Sequence, residues 1–124
     1  MCNVHDDDAP KFYNEIKRIA RKQHRCCECK RLIQPGEKYQ LAKGFWDEFQ
    51  EYKTCQHCEV AQQWLAVECG GFNFHGVADE ILEHAQEYFH FRLYRYAVGM
   101  RRGWQSFKDE TKLLPVPGMA RVTP

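Results

Sequence analysis

The chain has no surplus of charge: 18 Lys and Arg stand against 17 Asp and Glu, leaving a formal net charge of +1. No global field draws it to nucleic acid, so any such attraction must be local. Long apolar runs are missing too. No stretch approaches the ~18 residues that a membrane span needs, and no membrane association is expected. The first residues, Met1-Cys2-Asn3-Val4-His5-Asp6, have neither a basic start nor an apolar core, so no secretory leader is expected. Internal repeats and low-complexity blocks are also lacking. The cysteines are seven, an odd number, which argues against a purely disulfide framework. Thiolates bound to metal in a reducing cytoplasm fit better.

What is present centres on two Cys-x-x-Cys pairs, Cys26-Cys27-Glu28-Cys29 and Cys55-Gln56-His57-Cys58, separated by the 25 residues Lys30 through Thr54. Each pair can turn two sulfurs toward one ion without straining the backbone. Two pairs close a tetrahedral shell, so Cys26, Cys29, Cys55 and Cys58 are the expected ligands of one structural Zn²⁺ per chain. The plain alternative is buried free thiols, but paired spacing on both sides is rarely accidental. A closed shell offers no position for a water, and no enzyme activity is expected. Cys27 is expected to be a neighbour of the site, because Cys27-x-Cys29 has the wrong reach for a knuckle. Cys69 reads as a small core residue near a helix end, and Cys2 as exposed and reactive.

At 124 residues the chain implies one domain. Residues 1–10 read as a flexible lead, 11–100 as the zinc-binding domain and 101–124 as an extended tail. Phe12, Ile16, Ile19 and Ala20 fit helical spacing. Phe12, Asn14, Ile16, Arg18 and Ala20 fit alternation equally, and a short helix to about Ile19 is the preferred reading. Arg25 to Gly36 forms a zinc knuckle, with Ile33 folding back beneath the metal and Pro35-Gly36 reversing the chain. Tyr39, Leu41 and Phe45 alternate with polar residues and predict a strand, with Phe49 and Tyr52 on its return partner. A helix follows that carries Cys55 and Cys58 in its first turn and stops at Gly70-Gly71. The expected fold is therefore α+β, a treble-clef core of knuckle, hairpin and helix. A long helix over 77–98 completes it, with Val77, Ile81, Ala85, Tyr88, Phe89, Arg92, Leu93 and Tyr96 as its apolar stripe.

The residues Ala20 to Cys29, with Ile33-Gln34-Pro35-Gly36-Glu37-Lys38-Tyr39, resemble small treble-clef zinc proteins of tailed bacteriophages and prophages. So do Lys53 to Cys58, Trp64-Leu65 and Cys69-Gly70-Gly71-Phe72. The resemblance covers about residues 12–90 and implies a fold and an origin, not an activity. The expected role is that of a phage accessory or regulatory protein in the cytoplasm of a bacterial host cell, acting by binding a host protein.

Three sets of residues compete to make that contact. His84, Glu87, Phe91 and Tyr94, with Val98, form a second face of the long helix, suited to a partner protein or a second copy of the chain. Burial under the tail is the plain alternative. Lys17, Arg18, Arg21, Lys22, Arg25, Lys30 and Arg31 form a basic stretch with only Glu28 among them, suited to nucleic-acid phosphates. Its plain alternative is a solvated face beside a centre whose four thiolates and one Zn²⁺ sum to a charge of about −2. The third reading is a His-Asn-His-type nuclease, which also uses a treble clef. Against it, the hairpin Leu41 to Tyr52 has no His, His57 sits between two ligands, and His75, His84 and His90 come too late in the chain.

Overall fold

The structure is a computed structural model that describes residues 12–109 and 112–119, with Tyr88 described by its backbone alone. It is a mixed α+β arrangement. The strands are β1 (Phe12–Ile19), β2 (His24–Arg25), β3 (Leu32–Ile33), β4 (Lys38–Phe45) and β5 (Phe49–Cys55). The helices are α1 (Gln56–Cys69), α2 (Val77–Tyr88) and α3 (Phe91–Arg101). A three-stranded antiparallel sheet has the order β1-β4-β5, and β2 and β3 form a separate small ladder around the first Cys pair. The expected lead over residues 1–10, and Cys2 with it, lie outside the described residues. No helix among the described residues is long and apolar enough to cross a membrane.

The β4–β5 hairpin follows the alternation in its sequence. Its last strand pair is Phe45 with Phe49, and Trp46 N–H bonds Glu48 O across the turn at 3.2 Å. Gly44 is required there, because a Cβ would collide with the Trp46 ring. That ring joins Tyr13, Tyr52 and Phe74 in an aromatic cluster on one sheet face, with Tyr52 and Phe74 stacked at 4.1 Å.

Two expectations about secondary structure are corrected. Residues 12–19 form a strand, not a helix: every residue from Phe12 to Ile19 pairs with β4 in one unbroken register. The backbone of β4 has groups to pair, and the alternation in 12–19 supplies a partner. The long helix over 77–98 is two helices. Phe89 adopts a left-handed φ of 51° and closes α2 with its N–H on Ala85 O. The chain then folds back, so that Arg101 at the end of α3 meets Asp79 at the start of α2, 3.3 Å apart. A straight helix of that length would extend ~33 Å and carry its far half away from the core. The fold-back instead buries Leu93, Tyr96, Ala97 and Met100 against Ile33, Leu65, Val77, Ile81 and Ala85. Phe89, assigned to the core stripe from its spacing, is 89% exposed at the break.

The segment after α3, expected to be an extended tail from residue 101, instead turns at 102–104 and folds back to pair Gln105 with Leu113 before it runs on without regular structure, docked on the core. Trp104 is buried, and its ring lies on Gly99, where a Cβ would strike it. Leu114 N–H bonds Trp104 O at 2.8 Å, and Tyr96 Oη donates to Gly118 O further along.

Candidate metal centre

The ligand sulfurs of Cys26, Cys29, Cys55 and Cys58 all lie within 4.8 Å of one another. Three of these residues have no exposure, and Cys29 has 8%. Local chemistry explains how each pair is presented. In the knuckle, Cys26 N–H bonds Arg31 O and Lys30 N–H bonds Cys26 O, with Lys30 at a left-handed φ of 65°. That tight turn brings Cys26 and Cys29 to one side. Cys55 ends β5 and stands at the N-cap of α1, so Cys58 follows one turn later on the same inner face.

The sulfurs are close without being bonded: all four thiols are free, and Cys29 Sγ lies 3.8 Å from Cys55 Sγ. They share protons unequally. A hydrogen bond with Cys29 draws Cys26 below the ordinary thiol value, and one with Cys26 draws Cys55 down. A hydrogen bond with Cys26 raises Cys29, and burial raises Cys58. Negative charge thus collects in a dry pocket, where a cation is the natural counterweight. Two N–H groups also point at sulfur: Cys55 N–H to Cys26 Sγ at 3.4 Å and Trp104 Nε1–H to Cys58 Sγ at 3.2 Å. Four buried cysteines in this arrangement fit a structural metal site.

Cys27 stays apart from the four sulfurs. Its thiol lies 3.4 Å from Thr54 Oγ1, and burial pushes its pKa up, so it stays protonated. Glu28 does more than its place between two ligands suggested. Burial raises its carboxyl despite three hydrogen bonds to it. His75 N–H and Gln62 Nε2–H donate to Oε2 at 3.1 and 3.2 Å, and Val77 N–H donates to Oε1 at 3.4 Å. The carboxylate caps the start of α2 from across the molecule and ties that helix to the knuckle.

Each remaining candidate has a definite place. His57 is buried against Trp104, and its Nε2–H donates to Leu114 O at 2.6 Å. It ties the tail down. His75 Nδ1–H donates to Cys27 O at 2.9 Å. His84, expected on the contact face, is 2% exposed and packs against Trp64. That assignment is corrected: seven residues after Val77, His84 shares the core stripe of α2. Cys69, Glu80 and His84 also lie within 4.8 Å of one another, but the Cys69 sulfur is in a disulfide and offers no thiolate.

Phe91, Tyr94 and Glu87 are exposed. In the basic stretch, Arg31 bonds Glu37 through both terminal nitrogens at 3.1 Å, and Arg25 and Lys30 bond the carbonyls of Lys30 and Cys27. Lys17 pairs with Glu59 of α1 at 3.4 Å. Arg18, Arg21 and Lys22 are exposed. Lys17 and Arg18, adjacent in β1, stand on opposite sheet faces, so the stretch is not one surface.

Sequence reasoning missed Trp104. Its only local signal was a large aromatic directly after Gly103, five residues past Gly99. No family model matches the chain, no curated protein matches it, and no solved structure matches its fold.

Proposed function

We propose that the centre holds one structural Zn²⁺ in a treble clef and that the protein works by binding another protein, not by catalysis. A tetrahedron with zinc–sulfur bonds of about 2.3 Å has edges of about 3.8 Å. The Cys29–Cys55 separation of 3.8 Å supports that ion. The order of knuckle, hairpin and ligand-bearing helix supports the treble clef. Four thiolates leave no position for a reactive water, so no hydrolytic activity is expected.

The observation that carries the binding reading is the outer face of α3, where Phe91, Tyr94 and Val98 are 72%, 37% and 40% exposed. Aromatic side chains left in water on a helix of an otherwise well-filled core mark a contact surface. The resemblance to phage zinc proteins makes a host protein the proposed target and the bacterial cytoplasm its setting. Capture from host lysate tests this. Phe91→Ala and Tyr94→Ala, shown folded by circular dichroism, should each weaken capture by roughly thirtyfold, the loss of ~2 kcal/mol for a buried anchor.

The second reading is nucleic-acid binding, favoured by the exposed Arg18, Arg21 and Lys22. It predicts capture that disappears after nuclease treatment. It also predicts about a thousandfold or more loss of affinity between ~50 and ~200 mM salt. Charge reversal at Arg21 and Lys22 would then abolish binding, and Phe91→Ala would do little.

A further inference from the structure

The sheet has an edge that nothing among the described residues covers. β1 lies at one end of the order β1-β4-β5, and all eight of its residues are exposed. Its outer row of N–H and C=O groups is a template for another strand. Proteins usually blunt such an edge with charged side chains, a proline, a bulge or a very short strand. β1 carries the charges Glu15, Lys17 and Arg18 but no proline or bulge: its sequence is Phe-Tyr-Asn-Glu-Ile-Lys-Arg-Ile, and its register with β4 runs unbroken from Phe12↔Phe45 to Ile19↔Lys38. Four of its residues are large and apolar, with Phe12 53%, Tyr13 39%, Ile16 40% and Ile19 63% exposed.

We infer that this edge pairs with the same edge of a second copy, antiparallel, with the two-fold axis at Ile16. The charge pattern of the strand selects both the occupant and the register. In an antiparallel pair, residues directly opposite share a face, so a two-fold axis must pass through a residue position. An axis at Glu15 sets Glu15 against the partner's Glu15. Axes at Lys17 and Arg18 likewise oppose like charges. An axis at Asn14 leaves only the five residues from Phe12 to Ile16 paired. The axis at Ile16 pairs seven residues. It sets Glu15 against the partner's Lys17, Lys17 against the partner's Glu15, and Ile16 against the partner's Ile16. Tyr13 then faces the partner's Ile19, and Asn14 the partner's Arg18. Opposite charges and apolar pairs directly across a ladder stabilise it, and like charges there oppose it. Lys17 already lies 3.4 Å from Glu59 of its own chain, so it would sit between two carboxylates. The joined sheet would have six strands. The α3 face stays free for another partner.

Sedimentation equilibrium of the full metal-loaded chain tests the inference, with Glu15→Lys, Lys17→Glu and the double exchange. The expected result is a species of twice the 14.7 kDa chain mass. Each single exchange should weaken it about tenfold or more, because two opposed pairs become like-charged. The double exchange restores opposite charges across the axis and should recover the dimer. Ile16→Cys, which places a residue opposite itself, should form a covalent dimer on mild oxidation faster than Asn14→Cys. A chain that stays monomeric to tenths of a millimolar concentration would overturn the inference. So would a dimer indifferent to the single exchanges, or one that Phe91→Ala dissociates while they do not.

Discussion

At the scale of single residues, the groups that serve the metal centre come from far apart in the chain. Trp104, 46 residues beyond Cys58, donates its Nε1–H to that sulfur. An N–H aimed at a thiolate stabilises its charge and orients it for the ion. Trp104→Phe keeps a ring in the core and removes the donor. It should lower metal affinity by about ten- to a hundredfold, the usual effect of losing such an outer partner. Competition with a chromophoric chelator measures this.

The Arg31–Glu37 pair acts on stability through pH. Burial alone would raise the Glu37 carboxyl, but hydrogen bonds from Arg31 and from Gln34 N–H outweigh it and hold it below its ordinary value of 4.5. A carboxyl depressed in the folded state contributes stability that is fully present above its unfolded pKa. That stability is lost as pH falls through the folded value. Denaturant midpoints of Glu37→Gln should therefore lie below those of the natural chain at neutral pH and converge with them as pH falls through the depressed folded-state value. A constant gap across that range would show that the carboxylate charge contributes nothing. The comparison within one series also cancels the acid release of metal, which both proteins share.

At the scale of elements, the join between α2 and α3 stores a small conformational cost. Phe89 holds φ at 51° with its ring 89% exposed. An L-residue in that region is disfavoured by roughly 1–2 kcal/mol, and glycine is not. An exposed ring contributes little packing to offset it. Phe89→Gly should leave the fold intact and change stability by no more than about 1 kcal/mol, toward greater stability, because glycine's extra freedom in the unfolded chain offsets part of the relief. Urea unfolding with an unchanged slope checks it. A loss of ~2 kcal/mol or more would mean that the Phe89 ring is packed in solution.

At the scale of the whole molecule, the metal centre is the common anchor of the sheet, the helices and the tail. β5 and α1 meet at Cys55. Glu28 joins the knuckle to α2, and Trp104 and His57 bind the tail beside Cys58. Structural zinc is worth on the order of 10–16 kcal/mol in small zinc-finger peptides. That matches the whole net stability of a typical domain, about 5–15 kcal/mol. Chelation should therefore unfold more than the knuckle. Limited proteolysis after metal removal should cut the 104–119 segment early, with a change in tryptophan emission. Cys55→Ser should behave as the stripped protein does. A stripped protein that keeps its protease resistance and melting temperature would show that the four sulfurs are a core, not a metal site.

The four ligand positions were legible in the chain because a Cys-x-x-Cys turn is local chemistry, set by spacing alone. The β4–β5 alternation and the Gly70 stop of α1 were legible for the same reason. Residues 12–19 suited a helix and a strand alike, and the pairing needs of β4, twenty-odd residues later, decided between them. The periodicity over 77–98 is continuous, so nothing in it marks a break at Phe89. Folding back lets Leu93, Tyr96 and Met100 reach a core that a straight helix would leave behind. His84 was placed on the second face by its spacing to Glu87 and Phe91, and the packing of α2 on Trp64 buries it instead. Trp104 and the strap from Leu114 to Gly118 reached the centre through contacts between residues distant in sequence, which no local pattern encodes. Short-range turns and ligand spacings are properties of neighbouring residues, whereas pairing, burial and the direction of a helix belong to the assembled chain.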